Sequence, residues 1–227
     1  MKNLILSLIF VLINSLGSSQ NILEALQLKS DLIGEYVEGE LMSTDTIIDL
    51  KNGYYEEFLA DGGDNKTITR QAAIFRNHDG STTLGITITE YDFVCLYSKT
   101  SFYRISKSRD SINTVEPADI LPELTIREFL VDTTILSVLH QYLPEIQESY
   151  LDANATIEKV LSEVYHIVYL LPQRGTSLLA TLRVCDYIPT NAVNINQEQW
   201  TIIENNFGAI ELEFDKVRKA FKRARKN

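Results

Sequence analysis

The chain has 227 residues, 44% of them hydrophobic and 23% charged, which is long enough for a sizeable core and ordinary for a globular protein. Its formal net charge of −10 arises although the last twelve residues hold seven Lys/Arg and no acid. The remainder is therefore strongly acidic, which excludes nucleic-acid binding by the folded body, because such a surface repels phosphate backbones.

Residues 1–19 have the layout of a secretory signal peptide. Lys2 gives a basic start, residues 4–13 are apolar except for Ser7, and Gly17-Ser18-Ser19 supplies small residues for cleavage. The run is too short to span a bilayer, and no later segment reaches membrane length. The expectation is an exported protein, periplasmic or extracellular, with no transmembrane segment in its mature chain.

Residues 22–33 carry apolar side chains at helical spacing and stop at Gly34, predicting a short helix. Strands are predicted at 35–40 and 46–50. Asn52-Gly53 is a hairpin turn signal, and 54–59 is the strand that follows it. A surface loop at 61–67 leads into a hairpin, with arms at 72–76 and 82–89 around Asn77-His78-Asp79-Gly80-Ser81. Residues 100–106 add one strand. The Ser-, Asp- and Pro-rich stretch 107–122 reads as a connector, dividing an N-terminal half, 20–115, from a C-terminal half, 116–227.

In the second half, 123–143 has an impure helical pattern. Residues 154–164 open with Asn154 as a capping residue and place Ile157, Val160, Leu161 and Val164 on one helix face. The apolar run 165–171 suits a strand covered on both faces. Residues 177–188 alternate instead, with Leu178, Ala180, Leu182 and Val184 on the buried side. A helix at 196–206 and a half-exposed strand at 210–215 follow. The basic tail, 216–227, places Val217, Ala220, Phe221 and Ala224 at helical spacing, which predicts an amphipathic end lying on an anionic surface or on the acidic body.

Taken together these elements predict an α+β fold, antiparallel sheet with packed helices. Setting Gly80 on Gly175 aligns the two hairpins and suggests two related α+β halves. The buried faces then disagree by one residue, so a duplication requires a bulge or a different turn length in one copy.

No H-E-x-x-H, C-x-x-C pair, phosphate-binding glycine loop or G-x-S-x-G occurs, so no catalytic residue, metal or cofactor is assigned. The three histidines have no shared spacing. His78 belongs to a turn, and His166, in the apolar run, is expected to be a hydrogen-bonded core residue. Asp61, Asp64, Asn65 and Asp79 could offer oxygen ligands to calcium, but their spacing departs from an EF-hand loop and matches an ordinary turn. Cys95 and Cys185 are expected as two buried thiols, with a Cys95–Cys185 disulfide as the alternative that export permits.

Eleven tyrosines accompany one tryptophan. Strand tyrosines with one wet face can stack on sugars or anchor a partner. This points to a non-enzymatic protein that binds a protein or polysaccharide around Tyr91, Asp92, Asp186 and Tyr187. A cell-envelope hydrolase using two carboxylates, and an inhibitor or chaperone-like partner, are the alternative readings.

Overall fold

The computed structural model describes residues 21–28, 41–61, 67–92, 95–132, 136, 140–141, 156, 159, 162, 165–184 and 205–224. Among the described residues ten strands make two antiparallel meanders. The larger sheet joins β1 (Leu41–Asp49), β2 (Tyr54–Asp61), β3 (Thr67–Arg76), β4 (Thr82–Asp92), β5 (Cys95–Ile105) and β6 (Ile112–Val115) in chain order. The smaller joins β7 (Tyr165–Leu170), β8 (Ser177–Val184), β9 (Ile210–Asp215) and β10 (Ala220–Arg223), also neighbour to neighbour. Three helical elements lie wholly within the described residues, and all are short: α1 (Ile22–Gln27), α2 (Pro117–Ile120) and a 3-10 turn at Ile126–Phe129.

The α+β expectation is therefore overturned: this is a mainly β protein, and the sheets rather than packed helices supply the core. Two related α+β halves are overturned with it. The hairpin β3–β4 lies in the middle of six strands, whereas β7–β8 ends a sheet of four. Gly80 and Gly175 share a left-handed backbone, φ 84° and 85°. The loops around them differ, however: β3 and β4 close with Arg76 opposite Thr82, β7 and β8 with Leu170 opposite Leu179.

Each turn of the larger sheet has its own chemistry. Between β1 and β2 the Asp49 carboxylate accepts from the Asn52 backbone (3.0 Å) and side chain (2.7 Å), which holds the carboxyl below its usual range. Gly53 there has φ 70°, and a Cβ on it would lie 2.2 Å from Ile74 Cγ1, so only glycine fits. Between β3 and β4, Asp79 accepts from Ser81 Oγ (2.6 Å) and from Lys219, and both contacts keep its carboxyl well below the ordinary range. The predicted connector 107–122 is partly sheet. Its first residues close the β5–β6 turn, and β6 is the last strand of the meander.

Part of the larger sheet is buried on both faces. On one, Ala72, Ile74, Leu84, Ile86, Tyr103 and Ile105 pack against Ile22, Ala25 and Leu26 of α1. Asn21 caps that helix by accepting from the Glu24 backbone at 3.0 Å, and Arg109 in the β5–β6 turn pairs with Glu24 at 3.1 Å. The predicted helix 22–33 matches α1 over Ile22–Gln27; residues 29–40 lie outside the described residues. On the opposite face Tyr54, Ala73, Phe75 and Phe102 meet Leu171, Leu178, Ala180, Leu212, Phe214 and Phe221 of the smaller sheet. Phe75, Phe214 and Phe221 form a three-ring contact at 5.0–5.1 Å between centroids. Gly85 lets Leu171 and Phe102 pack close to the β4 backbone, since a Cβ there would sit 3.2 Å from both Leu171 Cδ2 and Phe102 Cε1.

The basic tail does not follow its helical spacing over the described residues. Asp215 accepts from the backbones of Val217 (3.0 Å) and Arg218 (3.1 Å), and Lys219 takes φ 58°, so the chain reverses. β10 then lays Phe221 opposite Phe214 in the core. Its cations meet nearby acids: Lys219 pairs with Asp79, Lys222 lies 3.6 Å from Asp215, and Arg223 lies 2.5 Å from Glu128. Of the predicted helix 123–143, the described stretch 123–132 forms only the short 3-10 turn at Ile126–Phe129, while the predicted helices at 154–164 and 196–206 fall mostly outside the described residues. Within 154–164, Thr156 Oγ1 accepts from the Lys159 backbone at 3.2 Å, and Asn154 lies outside the described residues. Among the described residues no helix is long and apolar enough to cross a membrane.

Candidate binding surface

Side chains alternate along each strand, so the register of the larger sheet sorts its residues into rows across one face. The row Tyr54–Ala73–Gly85–Phe102–Val115 lies under the smaller sheet. The next, Glu56–Gln71–Thr87–Thr100, is the seam where β7 crosses. Thr87 Oγ1 donates to the Tyr169 carbonyl (3.1 Å), and the Leu171 backbone N–H donates to Gln71 Oε1 (3.4 Å). Gln71 donates to Glu56 at 3.1 Å, and Glu56 also accepts from Tyr54 at 2.9 Å. Burial and then the Glu56 carboxylate push the Tyr54 hydroxyl well above the usual phenol range. The edge of the smaller sheet is thus tied to the larger one through side-chain oxygens.

Beyond the seam the face continues. The third row is Phe58, Thr69, Thr89 and Ser98, and the fourth begins with Ala60, Thr67 and Tyr91. Thr89 and Ser98 share a hydroxyl contact at 3.0 Å, as Thr87 and Thr100 do at 2.9 Å. Thr67, Thr69, Thr89 and Ser98 are half-buried, Phe58 is 37% exposed and Tyr91 50%. Strand spacings of ~4.8 Å and ~3.4 Å per residue place the two rings roughly 12 Å apart, with hydroxyls between them. The arrangement offers flat donor–acceptor groups flanked by aromatic rings.

Of the binding residues named from sequence, Tyr91 belongs to this surface. Asp92 is the last residue of β4, opposite Cys95 in register, with its side chain outside the described part. Asp186 and Tyr187 lie outside the described residues, as does Cys185, so the structure places no Cys95–Cys185 pair. Sequence reading missed the hydroxyl row. Its signal was there in Thr67-x-Thr69, Thr87-x-Thr89 and Ser98-x-Thr100, but only the register shows that these pairs fall side by side. Asp64 and Asn65 of the calcium reading are outside the described residues, and Asp79 is engaged with Ser81 and Lys219. Among the described residues no group of three or more His, Cys, Asp or Glu could hold a metal ion.

The opposite face carries a separate polar group. Arg70, buried on β3, lies 3.3 Å from Glu57 on β2. Burial first, and Glu57 second, push the Tyr55 hydroxyl up to about 12. Glu56 and Glu57 are consecutive in a strand and so point to opposite faces; they do not form a carboxylate pair.

A concave site lies at the other end of the smaller sheet. A cleft of about 470 Å³ opens between the 3-10 turn and the start of β7, lined by Leu124, Ile126, Leu136, Tyr165 and Ile167, with Thr125, Arg127, Ser162 and His166 around them. His166 is exposed there rather than buried, although Val168, two residues on along the same face of β7, is buried. The run 165–171 reads as continuously apolar, yet its burial is mixed, with Tyr165, Val168 and Leu171 buried.

No family model, no curated protein and no solved structure matches the chain.

Proposed function

We propose that this is a binding protein that takes an extended, hydroxyl-rich ligand, a polysaccharide, across the exposed rows of the larger sheet. The observation that carries the reading is Tyr91, half-exposed beside the Thr67, Thr69, Thr89 and Ser98 hydroxyls on a face the smaller sheet leaves uncovered. Sugar rings present an apolar face to an aromatic side chain and hydroxyls at their rim, and the surface offers both kinds of partner. A long, shallow face suits a polymer better than a small molecule, which needs concavity to bury most of its surface. The signal-like leader would deliver the protein to the compartment where cell-surface polysaccharides are met.

Affinity electrophoresis through gels containing polysaccharides tests this. A retarding polymer should be found, and Tyr91→Ala and the near-isosteric Thr89→Val should each weaken retardation about tenfold while leaving the unfolding midpoint nearly unchanged. If no polymer retards the protein, or both variants migrate as the original does, the reading is wrong.

A further inference from the structure

Tyr91 stands near the far end of β4, and the hairpin turns gather at the other end of the larger sheet. In a meander alternate turns fall at one end. The β1–β2, β3–β4 and β5–β6 turns therefore share an end of the larger sheet, and the β7–β8 and β9–β10 turns an end of the smaller. Contacts bring the two sets together. Lys219 pairs with Asp79, the His78 backbone donates to the Lys216 carbonyl (3.0 Å), and the Arg174 charge acts on the Asp49 carboxyl. The Lys107 stem passes over Gly80, 3.3 Å from where a Cβ would stand.

Charge is sorted at this end. Residues 49–54, 76–82, 105–112, 170–177 and 215–220 hold eight Lys/Arg against four Asp, in a chain of net charge −10. Each Asp accepts hydrogen bonds that shape its own turn: Asp49 from Asn52, Asp79 from Ser81, Asp110 from Ser106 and Ser108, and Asp215 from the backbones of Val217 and Arg218. The cations face outward instead. Lys51, Arg76, Lys107, Arg174, Lys216 and Arg218 are all exposed, and among the described residues none of them is in an ion pair. All five turns lie wholly within the described residues, and where a strand runs out of them it does so at its opposite end. Exposed charges act over only ~8 Å at physiological ionic strength, so acids elsewhere on the body do not cancel this local excess.

Two of the tips add apolar side chains. Val217, 73% exposed, stands between Lys216 and Arg218, and Leu50, 41% exposed, stands beside Lys51. An aliphatic tip flanked by cations matches a bilayer interface, which offers anionic headgroups with hydrocarbon beneath them. A soluble polyanion would satisfy the cations and leave Val217 and Leu50 in water. We propose that the hairpin-turn end docks on an anionic lipid surface, with Val217 and Leu50 at the boundary of headgroups and acyl chains and the exposed cations among the phosphates.

Sedimentation of the intact chain with vesicles is the test, using equal parts phosphatidylglycerol and phosphatidylcholine, or phosphatidylcholine alone. Residues 4–13 are themselves apolar, so the readout is the ratio of anionic to neutral binding, which an uncharged anchor leaves near one. The ratio should exceed about tenfold and collapse in high salt. Lys51→Gln should lower it roughly fivefold, and Lys216→Gln with Arg218→Gln about twentyfold. The Asp215 contacts survive that double change, because they use backbone N–H groups. Val217→Ser should weaken anionic binding at least about threefold with every charge kept, and Tyr91→Ala should change nothing.

A ratio near one would overturn the proposal, as would a ratio that neither Lys51→Gln nor the double variant lowers. Release by dextran sulfate, with Val217→Ser binding as the original does, would assign this end to a soluble polyanion and equally overturn a lipid surface. So would a dimer in sedimentation velocity that the double variant abolishes, since the partner would then be a second copy. None of these outcomes bears on the polysaccharide face, whose variants and probes are separate.

Discussion

Phe75→Ala should remove the main contact between the two sheets. Phe75 is 1% exposed and belongs to β3, yet both its ring partners, Phe214 at 5.1 Å and Phe221 at 5.0 Å, belong to the smaller sheet. Truncating a buried phenylalanine costs ~3–5 kcal/mol, from lost transfer energy plus the cavity left behind. Within that sum each ring pair accounts for ~0.5–1.5 kcal/mol beyond simple burial. Against a net stability of ~5–15 kcal/mol this is a large fraction, so the variant should stay folded but with a much lower urea midpoint. Urea unfolding followed by far- and near-ultraviolet circular dichroism measures it. A double-mutant cycle with Phe221→Ala should return a coupling of ~0.5–1.5 kcal/mol. Two findings would refute the shared core: a coupling of zero, or two separated transitions of which Phe75→Ala moves only one.

Gly53→Ala should cost ~2–5 kcal/mol in the same assay, since it adds left-handed strain to an overlap with Ile74. Gly85→Ala should cost less, ~1–3 kcal/mol, because its neighbours Leu171 and Phe102 need yield by only a few tenths of an ångström. Acid stability should follow Asp49, Asp79, Asp110, Glu128 and Asp215, whose carboxyls are all held below their ordinary values by hydrogen bonds from neighbouring side chains and backbone. Depressed pKa values contribute stability that is present above the ordinary carboxylate range and lost as pH falls through the folded values. The urea midpoint should accordingly be flat from pH 7 to about 5 and drop below about 4. The opposite sign holds for Tyr55, whose hydroxyl is raised to about 12: its contribution is complete below the ordinary phenol pKa of about 10 and fades as pH climbs through 12. Ultraviolet titration should show a tyrosine population ionising only when the protein unfolds, and smooth titration of all tyrosines near pH 10 would contradict the burial.

Much of the strand content was legible because it rests on short-range chemistry. Asn52-Gly53 marked the β1–β2 turn, Gly80 and Gly175 marked the β3–β4 and β7–β8 hairpins, and the alternation of Leu178 with Ala180 and of Leu212 with Phe214 marked buried faces. What misled was period. Val217, Ala220, Phe221 and Ala224 satisfy helical spacing, but Asp215 captures two backbone N–H groups just before them and turns the chain into a hairpin. A local side-chain bond of this kind outcompetes a weak amphipathic pattern and leaves no trace in hydrophobic periodicity. His166 failed for another reason. A run with no alternation cannot say which residues face the core, and the crossing of β7 over the Gln71–Thr87 row settles that from outside the segment.

The candidate surface follows from the same crossing. A meander of six strands is wider than the four-stranded sheet that covers it, and β7 stops at the row where side-chain oxygens replace apolar contacts. Had that row been leucine and valine, the exposed rows beyond it would have continued the core and required another layer. Glu56, Gln71, Thr87 and Thr100 instead satisfy one another and the edge of β7, so the hydrophobic region ends there without leaving polar backbone stranded. The hydroxyls of Thr89 and Ser98 extend the polar character outward to Tyr91. Replacing Thr87 with valine should therefore do more than remove one hydroxyl. It would leave the Tyr169 carbonyl without its donor at a buried seam, costing ~1–3 kcal/mol, whereas the same change at Thr89 should cost under ~1 kcal/mol. Unfolding midpoints of Thr87→Val and Thr89→Val compare the two directly; equal losses would mean that the seam is not where the core ends.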